Sequence, residues 1–157
     1  MMGKLPGPLD LPPVWLALAL GLVWMLDHLV PWGLFGPSAG LIGAALAGLG
    51  LVLMAAAVVQ MIARRTTVIP RNDPDALVTS GVFRLSRNPI YLADALILAG
   101  AILWLDVPHG VPVLIAFIAL IQHRFILEEE ARLRRLFGAQ YDRFAARTGR
   151  WFGRGGA

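Results

Sequence analysis

Apolar residues in this chain gather into long runs, with neither the three-and-four spacing of a half-buried soluble helix nor the alternation of a strand. Four runs, residues 14–30, 39–63, 89–105 and 111–127, reach the length of about 17–25 residues that a membrane-crossing helix needs. The pattern predicts an all-α integral membrane protein with four transmembrane helices, in one domain covering residues 1–157. The last two runs are near the minimum length, and residues 106–110 between them make a tight turn, so they form a short helical hairpin. Pro31 ends the first run, Pro37 precedes the second and Pro89 opens the third, at boundaries where a missing N–H costs a helix least. Along the second run Gly36, Gly40, Ala44 and Gly48 recur every fourth residue, with Gly43, Ala47 and Gly50 beside them. Small residues at that spacing let helix backbones approach closely in lipid, and packing within the chain is the expected use.

After residue 127 the pattern changes. Leu133, Leu136, Phe137, Tyr141 and Phe144 recur at three and four residues among charges, which predicts a C-terminal amphipathic helix over 128–149 along the membrane surface, broken at Gly138.

Composition agrees with a membrane protein: 57% of the 157 residues are hydrophobic and 15% charged, against roughly a quarter charged in soluble domains. With no cysteine, disulfides, thiolate metal sites and a cysteine nucleophile are excluded. No metal-ligand cluster is apparent either. The net charge of +4 raises nucleic acid as a partner, but the basic residues flank apolar runs, so membrane lipids are the expected partner and nucleic acid is not. Only Lys4 precedes the first run and no small-x-small cleavage site follows it, so the run reads as a retained span. Arginines crowd the segment 64–88 and the stretch from Arg124 onward, while residues 31–38 and 106–110 hold no lysine or arginine. The positive-inside rule therefore places both termini and the central loop in the cytoplasm, and a bacterial inner membrane is the expected location.

Ionisable groups within the apolar runs are few: Asp27 and His28, Asp94, and His123, which has Gln122 before it. Asp27 and His28 read as interfacial. Asp94 and His123 share a depth near the cytoplasmic end, where buried polar groups are candidates for function. The loop 64–88 leads into Arg87-Asn88-Pro89-Ile90-Tyr91, with Asn88 as expected N-cap and Arg87 beside a helix end that attracts anions. Glu129 and Glu130 follow the fourth run; in a continuous helix Glu130 would share a face with His123, and Glu129 with Gln122. Two readings stand: the glutamates converge with the Arg87–Tyr91 region on a zwitterion carrying a carboxylate and an ammonium, or they pair along the helix surface, as Glu130 with Arg134.

Two blocks resemble a known family. Leu77-Val78-Thr79-Ser80-Gly81-Val82-Phe83-Arg84-Leu85-Ser86-Arg87-Asn88-Pro89-Ile90-Tyr91, then Glu129-Glu130-x-x-Leu133-x-x-x-Phe137-Gly138-x-x-Tyr141, are similar to the isoprenylcysteine carboxyl methyltransferases and their phospholipid methyltransferase relatives. The resemblance implies S-adenosylmethionine bound at the cytoplasmic membrane face without a Rossmann domain; no Gly-x-Gly-x-x-Gly follows a strand here. It implies that Gly81, Arg87, Asn88, Pro89, Tyr91 and Glu129 bind the cofactor, with Glu130 beside them. Asn88 replaces a frequent histidine and cannot titrate. Arg147 falls where the family places basic groups facing the acceptor. Arg147, Glu130 and His123 are the expected catalytic residues, and Asp94 with Arg147 the expected substrate contacts. A carboxylate acceptor needs only positioning by a group such as Arg147, whereas an amine or thiol needs a base, for which His123 or a glutamate serves.

The expected activity is methyl transfer to a lipophilic acceptor, by carboxylate O-methylation as in the isoprenylcysteine enzymes, with phospholipid N-methylation or small-thiol S-methylation as alternatives. The acceptor is expected to arrive laterally, between the hairpin and the small-residue second helix. A four-helix transporter subunit would want an ionisable group near mid-bilayer, and the middles of all four runs are bare of charge. A structural adaptor is the other non-enzyme reading.

Overall fold

The computed structural model describes residues 10–67 and 73–155, so Lys4, Arg71 and part of the central loop 64–88 lie outside the described residues. Among the described residues the protein is all-helical: α1 (Pro12–Leu29), α2 (Pro37–Ala63), α3 (Pro89–Trp104), α4 (Val111–Ile121), α5 (Leu127–Phe137) and α6 (Ala139–Arg147). Prolines stand in the first turns of α1 to α4. A five-residue π turn, Gln122–Ile126, joins α4 to α5 without a break. Among the described residues three helices are therefore long and apolar enough to cross a membrane: α1, α2 and the continuous Pro108–Phe137. At 16 residues, α3 is apolar but shorter, about 24 Å at the rise of an α-helix. Leu18, Trp24, Leu41, Val52, Val59 and Ile115 are exposed on the outer surface, which marks a lipid-facing exterior.

Two sets of contacts fix how the helices alternate. The Asp10 carboxylate, just before α1, accepts 2.7 and 3.0 Å hydrogen bonds from Arg124, in the π turn after α4. The loops after α1 and α3 meet at the opposite end. There Asp106 accepts the N–H groups of Leu34 (2.9 Å) and Phe35 (2.7 Å) on Oδ1 and of Gly36 (3.2 Å) on Oδ2. Gly33 is needed beside it, because a Cβ there would lie 2.5 Å from Asp106 Oδ2. The N–H groups of Phe35 and Leu34 hold the Asp106 carboxyl below its ordinary value of 3.8; desolvation opposes them and Gly36 adds to them. With the folded value below the unfolded one, this contribution is fully present above the unfolded value and is lost as pH falls through the folded one. The difference in unfolding free energy between wild type and Asp106→Asn is thus expected to stay level near neutrality and shrink in acid. A difference that widened on acidification would contradict the assignment.

The close pairing of α2 with α3 uses a different set of small residues from the four-spaced one. Gly43 and Gly50 face α3: a Cβ at Gly43 would lie 2.5 Å from both Gly100 O and Trp104 N, and one at Gly50 would lie 2.8 Å from Ala93 O. A Cβ at Gly100 would in turn lie 2.7 Å from the Ala47 backbone nitrogen. A Cβ at Gly40 or Gly48 would meet nothing within 4 Å beyond the helix's own backbone. A residue set spaced by seven follows the side of a helix that faces a partner, whereas one spaced by four drifts around it. Over this length the path expected for an acceptor, between α2 and the hairpin, is closed by backbone contact. Gly43→Leu is expected to cost about 1–3 kcal/mol by overpacking, read as an earlier unfolding transition in detergent by tryptophan fluorescence. Gly48→Leu is expected to leave it unchanged, and equal effects at the two positions would refute the pairing.

The core has two parts. Ala19, Val23, Leu98, Ile102, Phe117 and Ile121 fill the space between α1, α3 and α4. Ala57, Val78, Phe83, Tyr141, Phe144 and Ala145 form a second cluster where the end of α2, the loop before α3 and α6 come together. Leu133 and Phe137 pack on it from α5. The break between α5 and α6 falls at Gly138, whose φ of +48° suits glycine.

Candidate functional site

The loop before α3 is seated by α2. Gly81, with φ +57°, starts a 3₁₀ turn over Gly81–Arg84, and the next N–H, of Val82, donates to Gln60 Oε1 at 3.2 Å. A Cβ at Gly81 would collide with the Gln60 amide, so glycine is required there on two counts. Phe83 is buried in the second cluster and anchors the turn. From there the loop is laced to the C-terminal segment. Ser86 Oγ and Asn88 Nδ2 each donate to the Arg150 carbonyl at 3.1 Å, and Arg87 N–H donates to Gly149 O at 2.9 Å. Asn88 occupies the N-cap position of α3, but its side chain makes no cap hydrogen bond, being committed to Arg150.

Below this lacing sits a buried charge cluster. Glu130, 6% exposed, takes Arg150 Nε at 2.9 Å and Nη2 at 2.8 Å, and lies 3.4 Å from Arg87 Nη2. A bidentate fork of this kind is among the stronger charge-assisted contacts. Glu130 thus serves Arg87 and Arg150; Arg134, its expected neighbour on the helix surface, pairs with Asp142 at 2.9 Å. Arg87 Nη1 donates to the Tyr141 hydroxyl at 3.4 Å. Burial, then the Glu130 charge, pushes the Tyr141 phenol up, with Arg87 opposing, so the hydroxyl stays protonated at neutral pH. The hydrogen bonds from Arg150 to Glu130 raise the Arg150 guanidinium further, burial opposing.

Beside the cluster opens a cavity of about 270 Å³. Its polar wall carries Arg87, Asn88, Tyr91, Asp94, Glu129 and Arg132, and its apolar wall includes Met54, Val58 and Met61 of α2. The Tyr91 hydroxyl donates to Glu129 Oε2 at 3.0 Å, tying α3 to α5 across the cavity. Asp94 is 2% exposed. Thr66 Oγ1, on a residue that lines the cavity, and Arg87 Nε are buried without a hydrogen-bond partner; such groups in a native fold ask for an explanation, and a bound ligand is one.

Of the residues singled out from sequence, Arg87, Asn88, Pro89, Tyr91, Asp94 and Glu129 line this one cavity. Gly81, Glu130, His123 and Arg147 do not line it. Gly81 seats the loop and Glu130 holds the arginines behind the wall. His123 and Arg147 are exposed. The π turn explains the separation of His123 from Glu130: its wider winding shifts everything downstream around the axis, so a spacing of seven no longer marks one face. Gln122 likewise parts from Glu129, accepting instead a 2.9 Å hydrogen bond from Trp151 Nε1. Arg132, Arg150 and Trp151 were missed by sequence reasoning. Arg150 lay in view within the basic C-terminal stretch, three residues past Arg147, but nothing in a run of arginines tells which one turns inward.

A family model described as phospholipid methyltransferase matches residues 39–140. No curated protein and no solved structure matches the chain.

Proposed function

The chain belongs to the phospholipid methyltransferase family, and on that premise we propose that it binds S-adenosylmethionine in the cavity at the start of α3 and methylates a lipophilic acceptor. The observation that carries this reading is the meeting of Arg87, Asn88, Tyr91, Asp94 and Glu129 around one cavity. The residues present suit the cofactor. Glu129 and Asp94 supply carboxylates for its ammonium, and Arg132 and the first turn of α3, uncapped by any side chain, supply donors for its carboxylate. Met54, Val58 and Phe83 supply an apolar surface for its ring. Thr66 Oγ1 and Arg87 Nε are donors still to be satisfied. Bound there, the cofactor contributes an activated methyl group on a sulfonium. The chain's own part is to orient that group, exclude water and hold the acceptor in line.

We read α3 as a fourth span, since it lies packed between α2 and α4. The arginine-rich end then faces the cytoplasm, in a bacterial inner membrane by our reading. For the acceptor atom, a carboxylate oxygen needs no base, and that is our first reading. A second, amine methylation, draws support from the family's description and from Asp94 and Glu129, the carboxylates at the cavity that would take an ammonium proton. The test is calorimetric titration of S-adenosylhomocysteine into purified protein, in detergent and in lipid nanodiscs. Saturable one-to-one binding is the expected result; well-folded protein that binds nothing in either medium would overturn the assignment.

A further inference from the structure

A second hollow lies on the other side of Arg87 from the cofactor cavity. It measures about 770 Å³ and runs between α3 and α4 beneath the C-terminal segment. Among the described residues, Arg87 alone belongs to both linings. Ile90, Tyr91 and Asp94 turn one face of α3 to the cavity, whereas Leu92, Leu96 and Ala99 turn another to this groove. A molecule seated in the groove cannot present an atom in line with the cofactor's methyl group. Its occupant is therefore not the acceptor.

The groove is apolar at one end and basic at the other. Leu92, Leu96 and Ala99 stand opposite Leu114 and Ile118 of α4, over about 10 Å along the helix axis. Ile115, next to Leu114, is 64% exposed, so this end is continuous with the lipid-facing exterior. The other end holds Arg87, Arg150 and Arg154, with no acidic residue in the lining. Glu130, behind the wall, pairs with Arg87 and Arg150; one carboxylate against three arginines leaves that end positive. An apolar trough ending in arginines is complementary to a hydrocarbon chain with an anionic head. A zwitterionic head brings an ammonium that the arginines repel.

The roof of the groove also serves the cofactor cavity. Gly149, Arg150 and Trp151 line the groove, and the Gly149 and Arg150 carbonyls receive the Arg87 N–H, Ser86 Oγ and Asn88 Nδ2. Those bonds fix the start of α3, and with it Arg87 and Asn88 in the cavity wall. A molecule that fills the groove supports this roof from beneath. The cofactor then meets a wall already ordered, and its binding is tightened by linkage.

We propose that the groove binds an acidic membrane lipid that is not methylated and acts as an effector: a chain lies along α3 and α4, Arg150 and Arg154 hold the phosphate, and the bound lipid tightens cofactor binding by bracing the C-terminal segment. The inference rests on the methyltransferase reading above and adds a regulator to it.

Trp151 reports on the groove. Full-length protein is placed in phosphatidylcholine nanodiscs doped with lipid brominated on its chains, either phosphatidylglycerol or phosphatidylcholine, and the signal is the quenching that disappears in Trp151→Phe. Brominated phosphatidylglycerol is expected to quench at a mole fraction about ten-fold lower than brominated phosphatidylcholine, and Arg154→Gln to reduce that preference roughly five-fold. S-adenosylhomocysteine, titrated calorimetrically into the same discs, is expected to bind about five-fold more tightly where phosphatidylglycerol is present. Ala99→Phe, which fills the trough, is expected to remove both the quenching and the tightening. Its unchanged affinity for S-adenosylhomocysteine in phosphatidylcholine alone shows that it is folded. Equal quenching by the two lipids, or an affinity that phosphatidylglycerol leaves unchanged, would overturn this inference and leave the methyltransferase standing. The same tightening by inorganic phosphate in phosphatidylcholine discs would reduce the groove to an anion site and overturn it equally. Protein that binds no S-adenosylhomocysteine in either disc would overturn the cofactor reading and the regulation with it.

Discussion

Glu130→Ala is expected to destabilise the protein by about 3 kcal/mol, the low end of the cost of removing one partner from a buried ion pair. The cause is the charge left behind. Arg87, with a side chain 9% exposed, would keep its positive charge out of water with only the Tyr141 hydroxyl to share it. Arg150, 33% exposed, can swing toward water, which is why the expected cost sits at the low end. Loss of Arg150 from its seat should also loosen the segment it belongs to, because its carbonyl receives Ser86 and Asn88. Glu130→Gln keeps the shape and one acceptor oxygen, so it should recover part of the loss. Unfolding in detergent, followed by tryptophan fluorescence, measures both. A double-mutant cycle with Arg150→Ala should return a coupling energy above about 1 kcal/mol; additive effects would mean that the fork contributes nothing.

The second large effect concerns the cofactor rather than the fold. Glu129→Ala is expected to weaken S-adenosylhomocysteine binding roughly ten- to hundred-fold, the equivalent of losing a charge-assisted hydrogen bond. Tyr91→Phe removes only the hydroxyl that fixes Glu129 Oε2, and about a three- to ten-fold loss is expected. His123→Ala and Arg147→Ala are the informative controls, since both residues are exposed and neither lines the cavity. Titration calorimetry should find those two unchanged. If they abolished binding while Glu129→Ala did not, the ligand would sit elsewhere on the protein and the cavity assignment would fail.

Much of the architecture is a property of local sequence. A run of 17 or more apolar residues has few ways to satisfy its backbone in lipid other than as a helix. The helix starts accordingly fall within two residues of the starts of the apolar runs, at Pro12, Pro37, Pro89 and Val111. The sorting of arginines to one end was also legible, because it needs only the order of the spans and of the charges. The convergence of Arg87–Tyr91 with Glu129 was one of two readings open in sequence, since both blocks adjoin that same end.

What could not be read was the rotation of each helix about its axis. Neighbouring residues are separated by about 100° around a helix, so one extra residue in a turn exchanges which side chains face inward. The π turn at Gln122–Ile126 makes that exchange, leaving His123 exposed, Glu130 buried and Glu129 toward the cavity. Within α2, both the four-spaced and the seven-spaced sets of small residues are present in sequence, and only contact with Gly100 and Ala93 distinguishes them. Asp106 lies in a turn some 70 residues from the N–H groups it binds, and Arg150 lies 20 residues from Glu130. Hydropathy and periodicity are sums over neighbours in the chain, so they specify that helices form, how long they are and which end is charged; the pairing of one side chain with another far along the chain exists only once the helices have been rotated and packed.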